Sequence, residues 1–280
     1  MNKADFEFIA GLIKEGSGLV LSTDKGYLLE SRLAPVAQRH GLSNLEKLVA
    51  ALRLDRQGPL LPDVVEAMTT NESFFFRDGK PFDIFRSKFL PEILERRASV
   101  KSLRIWCAAA STGQEPYSLA MLLQEEAAKL QGWNVQILGT DLSNEALQRA
   151  RSGIYTHFEV QRGLSIQRLI RFFEKQGELW QIKPDIRDMV QYRNFNLLQD
   201  PRPLGRFDVV FCRNVLIYFD PPTKARVLKS IATTMDRDGI LVLGGAETVF
   251  GVSNAFRPIA DHYGVYAVAT EPMVKSAVGT

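Results

Sequence analysis

The pattern of hydrophobic and polar positions changes near residue 100. Before that point, apolar residues recur at the spacing of an amphipathic helix in four segments that glycines separate: 6–14, 27–40, 44–54 and 61–68. This pattern predicts an all-helical domain over residues 1–70. A longer helical stretch, 82–97, lies in the linker region 71–100, and Pro91 within it predicts a kink or a break.

Beyond residue 100 the pattern alternates between short apolar runs and helical periodicity. The runs predict strands at 103–107, 135–139, 207–212 and 239–243. The intervening periodic segments predict helices at 115–130, 143–151 and 221–235. Such alternation is typical of an α/β domain, here residues 101–280, in which helices cover both faces of a parallel sheet.

One stretch, 155–199, departs from this alternation. It combines a short predicted helix, 165–173, with two strand-like runs, 179–182 and 189–195. We expect the two runs to pair in antiparallel fashion, which predicts a small β subdomain at about 156–195, inserted at the edge of the main sheet. Protein binding is the natural use of such an appendage.

Composition and charge exclude several classes of protein. The chain has 280 residues, of which 45% are hydrophobic, and a formal net charge of +3, too small to predict nucleic-acid binding. It has no apolar run as long as a membrane span, and its first residues do not resemble a secretory signal, so we expect a cytoplasmic protein. Cys107 and Cys212 end apolar runs and are expected to be buried thiols, and the three histidines lack metal-ligand spacing, so no metal is predicted.

The first predicted strand runs into Ala108–Gly113, a turn of small residues, and a helix that begins near Glu115 and Pro116. Small side chains would let a ligand approach the backbone closely. The dinucleotide fingerprint Gly-x-Gly-x-x-Gly is absent, which favours an uncharged or cationic nucleoside over a phosphate. Simple packing of the helix against the strand explains this segment equally well.

Polar residues also follow two other predicted strands. Asp141 comes just after the second strand, where a carboxylate can accept hydrogen bonds from both ribose hydroxyls. Capping of the next helix is the alternative, and for Ser143 it is the better explanation. The strand 207–212 delivers Arg213 and Asn214 to its carboxyl end, and Tyr218 follows, although Asn214 and Tyr218 could also be a turn residue and a core aromatic.

The linker carries an unusual run, Thr-Thr-Asn-Glu-Ser-Phe-Phe-Phe-Arg, at 69–77. Three adjacent phenylalanines cannot all face one core from a single helix, so part of the run is expected to line an interface or pocket. Arg77 could bind a carboxylate through two parallel hydrogen bonds.

Taken together, the motifs resemble those of the chemotaxis receptor methyltransferases, the CheR family. The similarity extends from the first helices to about Ala269 and rests on the run 69–77, Ala-Ala-Ala-Ser-Thr-Gly-x-Glu-Pro-Tyr-Ser at 108–118, Ala-Arg-Ser-Gly-Ile-Tyr at 150–155, Asn-Leu-Leu at 196–198 and Phe-Cys-Arg-Asn-Val-x-Ile-Tyr-Phe at 211–219. The resemblance implies a Rossmann-like methyltransferase sheet. It also implies a protein-glutamate O-methyltransferase that methylates glutamates of chemoreceptors with S-adenosylmethionine and releases S-adenosylhomocysteine.

The resemblance further implies roles for individual residues. Cofactor contacts are expected from Asn71, Ser73, Arg77, Glu115, Asp141, Asn196, Leu197, Arg213 and Asn214. Arg77 and Tyr218 are expected beside the transferred methyl group, as the catalytic pair.

The helical domain is the expected receptor-recognition element. Arg32 and Arg39 lie at one edge of the apolar arc of their helix and suit an acidic receptor stalk, although a solvated basic edge explains them equally well. Some family members bind a tethering peptide through a glycine-rich hairpin, but the turn 174–178 is short and has one glycine, which argues against tethering. Two rival functions are a methyltransferase for small molecules or nucleic acids, and a cofactor-binding sensor without turnover.

Overall fold

The computed structural model describes residues 1–269, which form two compact units. The first, called the helical unit, contains Met1–Thr70 and a six-residue segment, Tyr218–Thr223. The second, called the sheet unit, contains Asn71–Ile217 and the chain from Lys224 onward. The chain therefore passes three times between the two units, after Thr70, Ile217 and Thr223.

The helical unit has the four helices that the periodicity predicts. They are α1 (Lys3–Ser17), α2 (Gly26–Arg39), α3 (Leu45–Leu54) and α4 (Leu60–Ala67), with a 3₁₀ turn at Thr23–Lys25. Asn2 and Asn44 cap α1 and α3 by accepting hydrogen bonds from the backbone N–H groups of Asp5 and Lys47. The apolar stripes of the helices meet in one core that includes Ile9, Ile13, Leu29, Leu33, Leu48, Leu52 and Val64.

Arg32 differs from the sequence-based expectation. Its guanidinium donates to the carbonyl oxygens of Met68 and Thr69 at 2.9 and 2.8 Å, and to the Thr70 hydroxyl at 3.3 Å. These are the carbonyls that a helix end leaves without intrahelical partners. Arg32 therefore caps the end of α4, whereas Arg39 is exposed.

The segment Tyr218–Thr223 is bound to the helical unit at several points. The backbone N–H of Val20 donates to the carbonyl oxygen of Tyr218 at 2.9 Å, and Lys14 Nζ lies 2.7 Å from Asp220 Oδ2. The bond from Lys14 lowers the pKa of the Asp220 carboxyl. Phe219 is buried beside Gly18, whose φ of 82° is favourable only for glycine.

The sheet unit begins with an interrupted helix. Helix α5 (Lys80–Ile84) continues through a π-helical turn, Phe85–Phe89, into α6 (Leu90–Arg96). In that turn the N–H of Leu90 bonds to the carbonyl of Phe85, five residues earlier. Pro91 occupies the first turn of α6, so the predicted break is confirmed and the π turn accommodates it.

The main sheet has seven strands in the order β6-β2-β1-β7-β8-β10-β9. Their bounds are β1 (Ser102–Ala108), β2 (Asn134–Asp141), β6 (Val190–Asn194), β7 (Phe207–Cys212), β8 (Met235–Leu243), β9 (Phe256–Pro258) and β10 (Val265–Val268). The five strands from β6 to β8 are parallel, and β10 and β9 are antiparallel to their neighbours. The carboxyl ends of the five parallel strands consequently meet at one edge, where open α/β sheets bind ligands.

Helices follow the parallel strands as predicted. They are α7 (Gln114–Glu125), α8 (Asn144–Ser152), α9 (His157–Gln161), α10 (Ile166–Phe172), α11 (Pro184–Arg187) and α12 (Pro221–Ala232), with 3₁₀ turns at Ala127–Leu130, Arg202–Leu204 and Leu216–Tyr218. The predicted fold class, a mostly parallel sheet with an all-helical domain and a small antiparallel sheet, is confirmed. Cys107 and Cys212 are buried free thiols, and burial raises the pKa of both.

The inserted sheet has different strands from those predicted. It consists of β3 (Ile154–Thr156), β5 (Leu179–Ile182) and β4 (Phe173–Gln176), in that order and antiparallel. The prediction that residues 189–195 pair with 179–182 is wrong, because β6 pairs in parallel with β2 and forms an edge of the main sheet.

Within residues 1–269, every helix is too short or too polar to cross a bilayer.

Candidate functional site

The loop after β1 is shaped by residues with unusual backbone angles. Ala109, Ser111 and Gly113 have φ values of 77°, 51° and 96°, in the left-handed region that costs most residues energy. A Cβ atom at Gly113 would lie only 2.7 Å from the Tyr192 hydroxyl, so this position requires glycine. The N–H groups of Ala109 and Ala110 both donate to the carbonyl of Thr140, which holds the loop against the end of β2.

Asp141 is the buried last residue of β2 and organises two loops. Its Oδ2 accepts the N–H of Ser111 at 2.8 Å, and its Oδ1 accepts the N–H of Ser143 at 2.9 Å. Ser111 in turn donates its hydroxyl proton to the carbonyl oxygen of Asn71 at 2.8 Å. Asn71 and Asp141 are therefore joined through Ser111, and Ser143 caps α8 as predicted by accepting from the N–H of Ala146.

Arg213, just beyond β7, lies at the centre of a buried ionic cluster. Its side chain is 1% exposed; Nη1 donates to Glu115 Oε2 at 2.8 Å, and Nη2 donates to Asp78 Oδ2 at 2.7 Å and to the Arg77 carbonyl at 2.9 Å. The buried Nε has no hydrogen-bond partner among the described residues. Arg77, Glu115 and Arg213, three of the predicted site residues, thus form one cluster.

Burial dominates the electrostatics of Glu115. It raises the pKa of the carboxyl, and the adjacent Arg213 guanidinium opposes that increase. Glu115 lies in the first turn of α7, where the positive end of the helix dipole also favours negative charge.

The backbone around Arg77 is fixed on both sides. Phe76 and Asp78 have φ values of 48° and 69°, and the N–H of Phe76 donates to the Ser118 hydroxyl at 2.9 Å. The half-buried Arg77 side chain donates to the Glu72 carbonyl at 3.2 Å. Its guanidinium carbon lies 5.3 Å from the ring centroid of Phe74.

The three phenylalanines of the linker have different environments, as expected. Phe75 is fully buried and packs edge-on against Tyr155 and Phe173. Phe76 is also buried, whereas Phe74 is half-buried and lies beside the guanidinium of Arg162, 4.3 Å from the ring centroid. Phe74 is therefore available to shape a binding surface.

Glu247 is a site residue that the sequence analysis missed. Its buried carboxylate accepts the N–H groups of Gly244 and Asn214 at Oε2, at 2.7 and 2.8 Å, and those of Val215 and Ile217 at Oε1, at 2.9 and 3.3 Å. It holds Asn214 in a left-handed conformation with φ of 58°. The only sequence signal was the pair Gly244–Gly245 after β8, which marks a tight turn.

The remaining predicted residues occupy three places. Asn196 and Leu197 follow β6, whose Asn194 pairs with Asp141, and Asn196 Oδ1 accepts the N–H of Leu198 at 3.0 Å. Ser73 is half-buried in the linker. Tyr218 belongs to the helical unit, so its assignment stays a prediction.

The arrangement favours a particular kind of ligand. Among residues 71–269, the buried charged side chains around the strand ends are Glu115, Asp141, Glu247 and Arg213. Because carboxylates outnumber guanidiniums, the site suits a neutral or cationic molecule better than a phosphate.

Comparison with known proteins gives two family matches. The family described as "CheR methyltransferase, all-alpha domain" matches residues 4–69, and the one described as "CheR methyltransferase, SAM binding domain" matches residues 71–265.

Several curated proteins are similar over most of the chain. Chemotaxis protein methyltransferase 1 of Pseudomonas aeruginosa is 42% identical and covers 93% of each chain. Chemotaxis protein methyltransferase Cher2 of Pseudomonas putida is 40% identical over 92% of this chain and 93% of that protein. Chemotaxis protein methyltransferase 1 of Vibrio cholerae is 39% identical over 89% and 90%.

Proposed function

Because the chain belongs to the CheR family of S-adenosylmethionine-dependent methyltransferases, we propose that it methylates glutamate side chains of bacterial chemoreceptors. The product would be a γ-glutamyl methyl ester, so the enzyme would be a protein-glutamate O-methyltransferase, and we place it in the cytoplasm. The observation that carries this proposal is the match of both family domains, 4–69 and 71–265, together with relatives named chemotaxis protein methyltransferases. We propose that residues 1–70 recognise the receptor, that residues 71–100 join the two domains, and that residues 101–280 catalyse methyl transfer.

The strand-end residues fit S-adenosylmethionine. The small side chains from Ala108 to Gly113 allow close approach to the backbone, and the surplus of buried carboxylates suits a sulfonium cation. A carboxylate accepts hydrogen bonds from hydroxyl groups, and that of Asp141 is buried at the end of β2, next to the loop after β1. We propose that Asp141 binds the ribose hydroxyls.

The other cofactor contacts follow from the family motif. We assign them to Asn71, Ser73, Arg77, Glu115, Asn196, Leu197, Arg213 and Asn214. Arg213 would act partly by positioning other groups, because it donates hydrogen bonds to the Arg77 carbonyl and to the Glu115 carboxylate.

The proposed reaction needs alignment more than base catalysis. A free glutamate side chain has a pKa of about 4.3 and is already ionised at neutral pH. S-adenosylmethionine supplies an electrophilic methyl group on a sulfonium. The protein must therefore place the carboxylate in line and exclude water, because opposite charges that cancel in the transition state react faster in a dry site.

Arg77 is the proposed anchor for that carboxylate. Arg213 holds the Arg77 carbonyl, and Ser118 holds the N–H of the preceding residue, Phe76. The half-buried Arg77 side chain lies against Phe74 and donates one hydrogen bond to the Glu72 carbonyl. A guanidinium can bind a carboxylate through two parallel hydrogen bonds. For Tyr218 we propose a hydrogen bond that orients the carboxylate.

The helical unit is the proposed receptor-binding element. Arg39 is exposed on α2 and can face an acidic receptor stalk, whereas Arg32 is engaged by the end of α4. Tethering through the inserted sheet is not part of the proposal, since the turn between β4 and β5 is short.

The proposed function predicts a specific chemical product. Incubation of the full chain with methyl-labelled S-adenosylmethionine and membranes that contain chemoreceptors should label the receptor band. The label should be lost as methanol in mild alkali, because carboxyl methyl esters hydrolyse there and N-methyl groups do not. Label that survives alkali would contradict glutamate methylation.

Arg77→Ala tests the proposed role of Arg77 in the same experiment. The variant should lose receptor labelling while it retains most of its affinity for S-adenosylhomocysteine, measured by calorimetry. Equal losses in labelling and cofactor affinity would instead assign Arg77 to the cofactor alone.

The Asp141 assignment predicts a change in cofactor affinity. Asp141→Asn should weaken binding of S-adenosylhomocysteine by about 1 to 3 kcal/mol, because a charged hydrogen-bond acceptor is lost. Calorimetry measures the change, and Asp185→Asn, at an exposed position of α11, serves as the control. Unchanged affinity in Asp141→Asn would remove Asp141 from the site.

A further inference from the structure

An open cavity lies along the outer edge of the main sheet, beside strand β6. Its volume is about 510 Å³, and its lining includes Arg151, Arg187, Arg193 and Asp188. Strand β6 pairs with β2 on one side, and it is the last strand of the sheet on the other. The cavity is lined by Tyr192 as well, but by none of the residues assigned to the cofactor.

The three arginines come from three separate elements and lack ionic partners. Arg151 lies in the last turn of α8, Arg187 ends α11 and Arg193 is on β6. Within the part of the chain that the structure describes, none of them has a carboxylate or other acidic partner within 4.0 Å. By contrast, Arg97 contacts three aspartates and Arg168 contacts Glu125.

The charge around the cavity is therefore unbalanced. The lining residues carry three guanidiniums and one carboxylate, that of Asp188, which leaves a positive excess. An anion that binds among several arginines is attracted by each of them, and therefore more strongly than by a single arginine.

Parts of this cluster are held in place before any ligand binds. Arg151 Nη2 donates to the carbonyl oxygen of Tyr192 at 3.1 Å. The Cδ of Arg187 lies over Gly153, 3.5 Å from where a Cβ atom would be. The Arg151 guanidinium is thus positioned before a ligand binds, which reduces the entropy lost on binding.

Tyr192 connects this cavity to the loop after β1. Its ring covers Gly139, where a Cβ atom would lie 2.7 Å from Cε1, and its hydroxyl lies beside Gly113. That hydroxyl is buried and makes no hydrogen bond of ordinary geometry, although it is close enough to Tyr117 to influence that residue's pKa, which burial raises to about 12. Tyr192 therefore packs between the cavity and the loop after β1.

We propose that this cavity binds a small molecule that carries a diphosphate group. Arginine forks match phosphate oxygens through two parallel hydrogen bonds, and three of them on different sides can hold two linked phosphates. A volume of about 510 Å³ is typical of small-molecule sites and exceeds what a single phosphate needs. The arginines line one open cavity from three elements, so the positive charge is concentrated in one place, which favours a compact polyanion over an extended acidic peptide. This inference does not rest on the proposed methyl transfer.

Inorganic pyrophosphate is the probe that tests this inference. It has no nucleoside, so it cannot mimic the adenosyl group of the cofactor. Calorimetry with the full chain should show saturable binding at one site that weakens as salt is added. The affinity should stay the same when S-adenosylhomocysteine is present at saturating concentration.

Variants at the cavity edges provide the specific test. Arg187→Gln and Arg193→Gln should each weaken pyrophosphate binding at least fivefold. Arg257→Gln is the matched control: it removes an exposed arginine from β9, the opposite edge strand of the same sheet, and should leave binding unchanged. Circular dichroism establishes that all three variants are folded.

Four results would overturn the inference. They are the absence of saturable binding, an equal loss in Arg257→Gln, competition by S-adenosylhomocysteine, and tighter binding of a polyglutamate peptide than of pyrophosphate at the same arginines. The last result would assign the surface to an acidic protein partner.

Discussion

Glu247→Gln should lower the free energy of unfolding by about 2 to 5 kcal/mol, because two buried backbone N–H groups would lose their acceptor. The carboxylate accepts four N–H groups, two at each oxygen. In glutamine, one oxygen becomes an NH₂ group that points at donors. The substitution conserves volume, so the loss would report hydrogen bonding and not a cavity.

Urea denaturation followed by circular dichroism measures this effect. Glu178→Gln, in the exposed turn between β4 and β5, makes the same chemical change without buried partners and should alter stability by less than about 0.5 kcal/mol. If the two variants were equally stable, Glu247 would have no special role. Because the carboxylate holds Asn214, the folded Glu247→Gln protein should also bind S-adenosylhomocysteine more weakly.

Arg213→Met should destabilise the protein by about 3 to 5 kcal/mol, since it leaves the buried Glu115 carboxylate without its cation. A second change, Glu115→Gln, should recover much of that loss in the Arg213→Met background, although it removes the same ion pair. Urea denaturation of the two single variants and the double variant gives the coupling between the residues. Additive losses would show that the pair is not coupled.

The same pair predicts a pH dependence. The folded protein raises the pKa of Glu115, so it binds the proton of this carboxyl more tightly than the unfolded chain does. The contribution of Glu115 to the free energy of unfolding therefore falls as pH rises through the folded pKa. Loss of Arg213 should raise that pKa further, so the deficit of Arg213→Met should be smaller at pH 5 than at pH 8, and a larger deficit at pH 5 would contradict this assignment.

The spacing of apolar residues predicted the helices and strands that depend mainly on residues close to them in the sequence. The four helices of the helical unit and strands β1, β2, β7 and β8 follow from the spacing of apolar residues. The register and partner of β6 do not, because its partner β2 lies some fifty residues earlier and alternation specifies a strand but not what it pairs with. Strand β4 was missed since three of its four residues are exposed and little hydrophobic signal remains.

The candidate site was predictable to a similar extent. Motif position placed Asp141, Arg213 and Asn214 at strand ends, where the structure has them. The contact between Glu115 and Arg213 joins residues 98 positions apart, and that between Glu247 and Asn214 joins residues 33 positions apart, so neither contact could be predicted from local sequence. The structural use of Arg32 was likewise hidden, because a basic residue at a helix edge looks the same whether it meets solvent or a carbonyl group.

The return of the chain to the helical unit at Tyr218–Thr223 has a practical consequence for fragments. A fragment that starts at Asn71 would still carry Phe219 and Asp220, but without the Gly18 surface and the Lys14 ammonium that they contact. The complementary fragment, Met1–Thr70, would leave that hydrophobic surface uncovered and would be prone to aggregate. In truncation studies, the segment Tyr218–Thr223 should therefore be fused to Met1–Thr70, since no single cleavage point separates the two units completely.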